Sequence, residues 1–241
     1  MRPLPSASPY TRRVFATTPP PPNRLLVFAR LPELGRVKTR LAASIGEEKA
    51  LAAYQAMLRD LQASIGVSSE ETEVEILWAP TPAADGNALR RAFGSNATSM
   101  QAGESLGDRL SMAFSERFFF HRTHKIIAIG VDDPSLSREL IDQAFELLES
   151  CEWVIGPATD GGYYLIGCRA AAFDVSIFSG ISWGSDTVLR VTLERIRDSQ
   201  STVAVLPRRA DIDIGEDLQR YAAVAPPGAV RQLLEGWGWA S

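Results

Sequence analysis

Cysteine, histidine and surplus positive charge are all scarce in this 241-residue sequence, and each scarcity closes off a class of protein. Two cysteines, Cys151 and Cys168, cannot build a disulfide scaffold or a multi-cysteine zinc site, and they read as reduced thiols of a cytoplasmic protein. The two histidines, His121 and His124, have no acidic or cysteine partner at metal-ligand spacing and receive no role. A formal charge of −4 offers no electrostatic footprint for nucleic acid. No apolar run is long enough to span a bilayer. A Walker A loop is also missing, because no glycine-rich run leads into Lys-Ser/Thr.

What is present is an ordinary globular composition, 45% hydrophobic and 22% charged, after an atypical beginning. Residues 1–23 are rich in Pro, Ser and Thr, carry Arg but no acid, and end in four prolines. Such a segment buries too little surface to offset its ordering entropy, so a disordered tail is expected, with one domain over 24–241. From Arg24 onward, strand-like and helix-like segments alternate. Apolar runs predict strands at 24–29, 73–79, 125–130, around "PATDGG" (157–162), and at 202–206. Leu51, Tyr54, Leu58, Leu61 and Ile65 recur every three or four residues, which predicts a helix over 46–66. Further helices are predicted at 85–93, 106–119, 137–149 and 185–198, and one beginning near Gly215. The alternation argues for an α/β fold around a mainly parallel sheet.

Several stretches carry candidate chemistry. "RLPELGRVKTRLA" (30–42) follows the first strand and supplies Gly35 for a turn, then Arg36, Lys38 and Arg40 ahead of a helix, an anion-binding arrangement or else a solvated basic loop. "GVDDPSL" (130–136) puts Asp132 and Asp133 at the carboxyl end of a predicted central strand. Open α/β sheets bind ligands there, and carboxylate oxygens suit a hard divalent cation; a turn before Pro134 is the simpler alternative. In "DIDIGED" (211–217), Asp213 could approach the same cation, while Glu216 and Asp217 suit the first turn of a helix. "GPATDGGYYLIG" (156–167) sets Asp160 beside Gly161 and Gly162, where the backbone can come close to a ligand or form a hairpin turn. "GESLGDRL" (103–110) offers Gly107 and Arg109 in a loop entering a helix. Trp183 in "SWGSDTVL" precedes another helix and reads as a cap neighbour or a core aromatic.

Taken in order, "FARLPELGRVKTRLA", "LGDRL", "IGVDDPSL", "GPATDGGYYLIG", "WGSDTVL" and "DIDIGEDL" resemble the bacterial glycosyltransferase-A family related to arsenosugar-biosynthesis glycosyltransferases, over about residues 24–221. A more distant likeness joins the chain to the guanylyltransferases of molybdenum-cofactor and 2-phospholactate metabolism. The resemblance implies a three-layer, Rossmann-like GT-A fold and a nucleotide-diphospho-sugar transferase activity dependent on Mg²⁺ or Mn²⁺, acting on a small-molecule acceptor. A nucleotidyltransferase joining an NTP to a phosphorylated acceptor is the alternative. It further implies phosphate binding by Gly35, Arg36, Lys38 and Arg40, a cation on Asp132 and Asp213 with Asp133 beside them, and Asp160, Gly161 and Gly162 near sugar and acceptor. Asp160 is then the candidate general base, and Gly107 and Arg109 lie near the nucleobase. The chain departs from the family pattern at Asp133, where a small residue is usual, at Ser105 for an aspartate, and at Ile214-Gly215 for Thr-Pro.

Overall fold

The computed structural model describes residues 22–80 and 97–239. Seven strands form one sheet in the order β3-β2-β1-β4-β6-β5-β7. They are β1 (Asn23–Ala29), β2 (Thr72–Trp78), β3 (Ala97–Met100), β4 (Lys125–Ile129), β5 (Trp153–Pro157), β6 (Tyr163–Arg169) and β7 (Val203–Val205). All neighbours pair in parallel except β6, which runs antiparallel between β4 and β5. The described helices are α1 (Thr39–Ile45), α2 (Glu47–Ile65), α3 (Leu106–Phe119), α4 (Arg138–Ser150), α5 (Val188–Asp198), α6 (Gly215–Ala222) and α7 (Ala229–Gly236).

The central strands are apolar on both faces because helices cover both. Successive side chains of a strand point to opposite faces. Leu25 and Val27 of β1, with Ile127 and Ile129 of β4, therefore enter one core against α2 and α4. Leu26, Ile126 and Ala128 enter the other, against α3 and α5. This is the three-layer α/β arrangement. A third, smaller core joins α1, α2, α6 and α7 through Leu41, Met57, Leu218 and Leu234.

The periodic segments formed where expected, within a few residues. Ser137 caps α4, accepting from the Leu140 amide at 3.3 Å. Helix α5 starts at Val188 rather than 185, because Ser182–Thr187 fold into a turn held by Ser185 bonds to the Ser182 carbonyl and Thr187 hydroxyl. Strand β3 and helices α1 and α7 are additions to the expected set. The expected helix at 85–93 and nearly all of the expected tail lie outside the described residues.

Candidate active site

In the sheet, β1 lies between β2 and β4, so the chain runs from β1 toward one edge and from β4 toward the other. The gap between the carboxyl ends of β1 and β4 is a topological switch point, where open α/β sheets form a crevice. The loop after β1 is fixed from below by Tyr54 of α2, whose hydroxyl accepts from the Arg30 amide at 2.9 Å and donates to its carbonyl at 3.0 Å. Gly35 turns the loop with φ +72°, a left-handed conformation natural to glycine. Lys38, immediately before α1, is also left-handed (φ 47°, ψ 47°). For a residue with a β-carbon this stores strain of about 1 kcal/mol or more.

That strained turn aims a lysine inward. The Lys38 side chain is only 5% exposed; its ammonium donates to the Ile212 carbonyl at 2.6 Å, reaches Asp213 at 3.3 Å and pairs with Asp132. Arg40 adds a second cation, 3.1 Å from the other Asp213 oxygen. Asp132 and Asp213 are far apart in the chain. They meet because the segment after β7 follows the end of β5, where the Arg209 amide bonds the Pro157 carbonyl at 3.0 Å. It then crosses to β4, where the Ile212 amide bonds the Asp132 carbonyl at 2.9 Å.

Two more acids complete the cluster. Asp160, Asp211 and Asp213 each bring an oxygen within 4.8 Å of the others. Burial pushes the Asp211 carboxyl above its ordinary range, and the charges of Asp160, Asp213 and Asp132 push it further. Asp132 and Asp213 thus meet Lys38 and Arg40, and Asp160 and Asp211 gather beside Asp213. An all-oxygen, anionic donor set of this kind fits a hard divalent cation. Asp211 escaped the sequence reading because the acidic run offered no way to tell Asp211 from Asp213 as the inward residue.

Asp133, expected beside the cation, lines the smaller chamber next to Asp132 but is not one of the three acids whose oxygens converge. It is buried and pairs with Arg209 through one oxygen, while the other accepts from the Ser135 amide at 3.0 Å and hydroxyl at 2.6 Å. With both oxygens engaged, it anchors the turn that presents Asp132. Gly107 is likewise not at an open face. A β-carbon there would lie 2.4 Å from the Phe178 carbonyl oxygen and 2.7 Å from the indole Nε1 of Trp183, so the glycine packs against that backbone and the indole edge. Gly161 (φ +92°) plays the same part on the opposite flank, where a β-carbon would collide with the Asp186 backbone. Gly162 donates its amide to Asp160 at 2.8 Å, leaving the second Asp160 oxygen without that bond. Arg109 donates to the Gly103 carbonyl at 3.1 Å, and Arg36 pairs with Glu33 at 3.4 Å; both line the crevice. At the other two departures from the family pattern, Ser105 caps α3 in a reciprocal pair with Asp108, and Asp217 accepts from the amides of Asp213 and Ile214.

The crevice has two chambers. The larger, about 480 Å³, is lined by Arg30, Arg36, Lys38, Arg40 and Arg109, with Tyr54 and Gln101 deeper in. The smaller, about 230 Å³, is lined by Asp132, Asp160 and Asp211 together with Tyr163, Tyr164 and Trp183, and no lysine or arginine is among its described lining residues. Gly130, Asp132, Tyr163 and Tyr164 form a wall common to both. The arrangement can hold a polyanion in one chamber and a neutral polar group in the other.

A sheet in this order with a ligand crevice at the β1/β4 switch point is the fold of the nucleotide-diphospho-sugar transferases. A structure from Desulfovibrio desulfuricans G20, described as a "putative nucleotide-diphospho-sugar transferase", superposes with a TM-score of 0.84 at 30% identity, over 89% of this chain and 94% of that one. Residues 65–185 match the family model described as "Uncharacterized protein conserved in bacteria (DUF2064)", and the chain belongs to that family. A cytidylyltransferase from Leptospira borgpetersenii (TM-score 0.52, 14% identity, 90% and 93% covered) shares the fold alone. So does the inositol-1-phosphate CTP transferase of T. maritima (0.50, 14%, 90% and 98%). No curated protein matches the sequence. Among the described residues, no helix is long and apolar enough to cross a membrane.

Proposed function

We propose that the protein is a metal-dependent glycosyltransferase that moves a sugar from a nucleotide-diphosphate sugar to an acceptor hydroxyl. The observation that carries this reading is the division of the crevice into a basic chamber and an acidic, aromatic one with Asp132 on their common wall. A nucleotide-diphosphate sugar has the same division, a dianionic diphosphate joined to a hydroxylated ring. The similarity to the Desulfovibrio protein supports it.

In the transfer, the anomeric C–O bond breaks and its electron pair leaves with the diphosphate. The acceptor oxygen forms the new bond and gives up its proton. Lys38 and Arg40 place fixed positive charge beside the leaving diphosphate, where a well-placed charge or donor contributes about 3–4 kcal/mol. Asp160 is exposed at the edge of the acid cluster and is the base that takes the proton, with one oxygen held by Gly162 and the other available. Asp213, with Asp132 and Asp211, would hold Mg²⁺ or Mn²⁺. Such an ion, when bound, neutralises charge on the diphosphate oxygens.

Incubation with UDP- and GDP-sugars in Mn²⁺, and separately with each NTP, tests the reading. Release of a nucleoside diphosphate from a sugar donor is the expected result. Release of pyrophosphate from an NTP, with the sugar nucleotides untouched, would make the protein a nucleotidyltransferase instead.

A further inference from the structure

We infer that Trp183 is the platform for the transferred sugar and sets its class, a neutral hydroxylated ring in place of one bearing a carboxylate or phosphate. This rests on the glycosyltransferase reading above.

The position of Trp183 is built by the residues around it. The turn that carries it, Ser182–Thr187, is gripped from two sides by glycines from distant parts of the chain. Gly107, in the first turn of α3, leaves room for the Phe178 carbonyl and the indole edge, and Gly161, between β5 and β6, leaves room for the Asp186 backbone. The Leu189 amide then bonds the Gly161 carbonyl at 2.9 Å, tying the start of α5 to the same loop. Tyr163 meets the indole edge-on, with ring centroids 6.3 Å apart and planes at 84°. Three separate elements therefore fix one aromatic ring, and that ring is half-buried rather than sealed in the core. It lines the smaller chamber, facing the space also bordered by Asp132, Asp160 and Asp211.

An aromatic wall beside carboxylates suits a sugar. The ring's C–H face packs on the indole, while its hydroxyls donate to carboxylate oxygens. The same chamber disfavours an anionic ring. No described lysine or arginine lines it to pair a carboxylate or phosphate, and Asp160, which is not assigned to the cation, would repel one. Because the basic residues line the other chamber, nucleotide binding and sugar binding should respond separately to mutation.

The test uses the full chain in Mn²⁺ and calorimetric titration with UDP, UDP-glucose and UDP-glucuronate, or GDP, GDP-mannose and GDP-mannuronate if the guanine series binds. Trp183→Ala is expected to weaken the neutral sugar nucleotide about tenfold while leaving the nucleoside diphosphate within about twofold. Trp183→Phe is expected to restore most of the loss, and wild type is expected to bind the uronate at least tenfold more weakly than the neutral sugar. Equal weakening of nucleoside diphosphate and sugar nucleotide in Trp183→Ala would reduce the tryptophan to a structural part and overturn the inference. So would equal binding of glucose and glucuronate donors by wild type, an arm that stands even if Trp183→Ala fails to fold. Failure of wild type to bind any member of either series overturns the transferase reading itself, a different result from both.

Discussion

Among the described residues, two clusters bring arginine or lysine against several acids, and they differ in one respect. Under β2 and β3, Arg117 and Glu75 are closed off, at 3% and 9% exposure. Arg117 Nε donates to Glu75 at 3.0 Å, Ser99 donates to the same carboxylate at 2.7 Å, and Arg24 approaches at 3.3 Å. Burial alone would raise the Glu75 carboxyl, but the bonds from Arg117 and Ser99 and the charges of Arg117 and Arg24 hold it below its ordinary range. At the β1/β4 crevice, Asp132 is 51% exposed, and Asp211 is pushed the other way by burial and by the acids around it. The first cluster is sealed around a fully bonded carboxylate, and the second is open, with acids pressed against one another. Exposure separates a candidate binding site from a structural ion network, even though both contain the same residue types.

Mutations should split along that line. The largest effect is expected for Asp132→Asn, which should cut transfer by about 10²–10³-fold while barely moving the melting temperature, since an exposed carboxylate contributes little to folding. Turnover assays paired with thermal melts would show it, and a large loss of stability would erase the contrast. Arg117→Met should do the opposite. Leaving Glu75 buried and unpaired is expected to remove about 3–5 kcal/mol of stability in urea unfolding, with donor affinity of the folded protein unchanged.

The pH response follows from Glu75. Its folded pKa lies below the unfolded value of 4.5, so the stability it contributes is complete above that pH and drains away as pH falls through the lower folded value. Urea midpoints measured from pH 7 down to pH 3 should fall in the acid limb, and the fall should shrink when Glu75→Gln and Arg117→Met are combined. The smallest effect is expected at Asp211. A carboxyl whose folded pKa is raised favours folding only while protonated, so at neutral pH its ionised form is a burden. Asp211→Asn should raise the melting point of the metal-free protein slightly, by the equivalent of about 1 kcal/mol or less, and reduce the stabilisation produced by added Mn²⁺. A lower melting point without metal would show that the ionised Asp211 is no burden.

Much of the architecture was legible in the chain. After their polar first residues, strands β1 and β4 run apolar without a break because both faces are covered, and α2 and α4 display their buried stripes at helical spacing. Strand β3, "ATSM", is four residues long with its first and last exposed, so it carries neither signal. Helix α7 is a single short element whose apolar partners come from α2, which local periodicity cannot reveal. The site was legible in part. Lys38, Arg40, Asp132 and Asp213 converge as their positions at strand ends suggested, and Asp160 stands close by. Asp133 and Gly107 have other duties because their partners, Arg209 and Trp183, come from remote segments.

By itself, the sequence determined the layering of the sheet and helices, since apolar periodicity dictates which faces must be buried. It also determined that charged loops gather where strands end, since charges cannot stay in those buried layers. Only the tertiary structure decided which of two adjacent aspartates stays half exposed beside Lys38 and which is buried against an arginine, because that depends on what the returning chain brings alongside. It also decided that a tryptophan indistinguishable from a core residue should stand in a chamber wall. Local sequence carries no information about which distant glycine will make room for it.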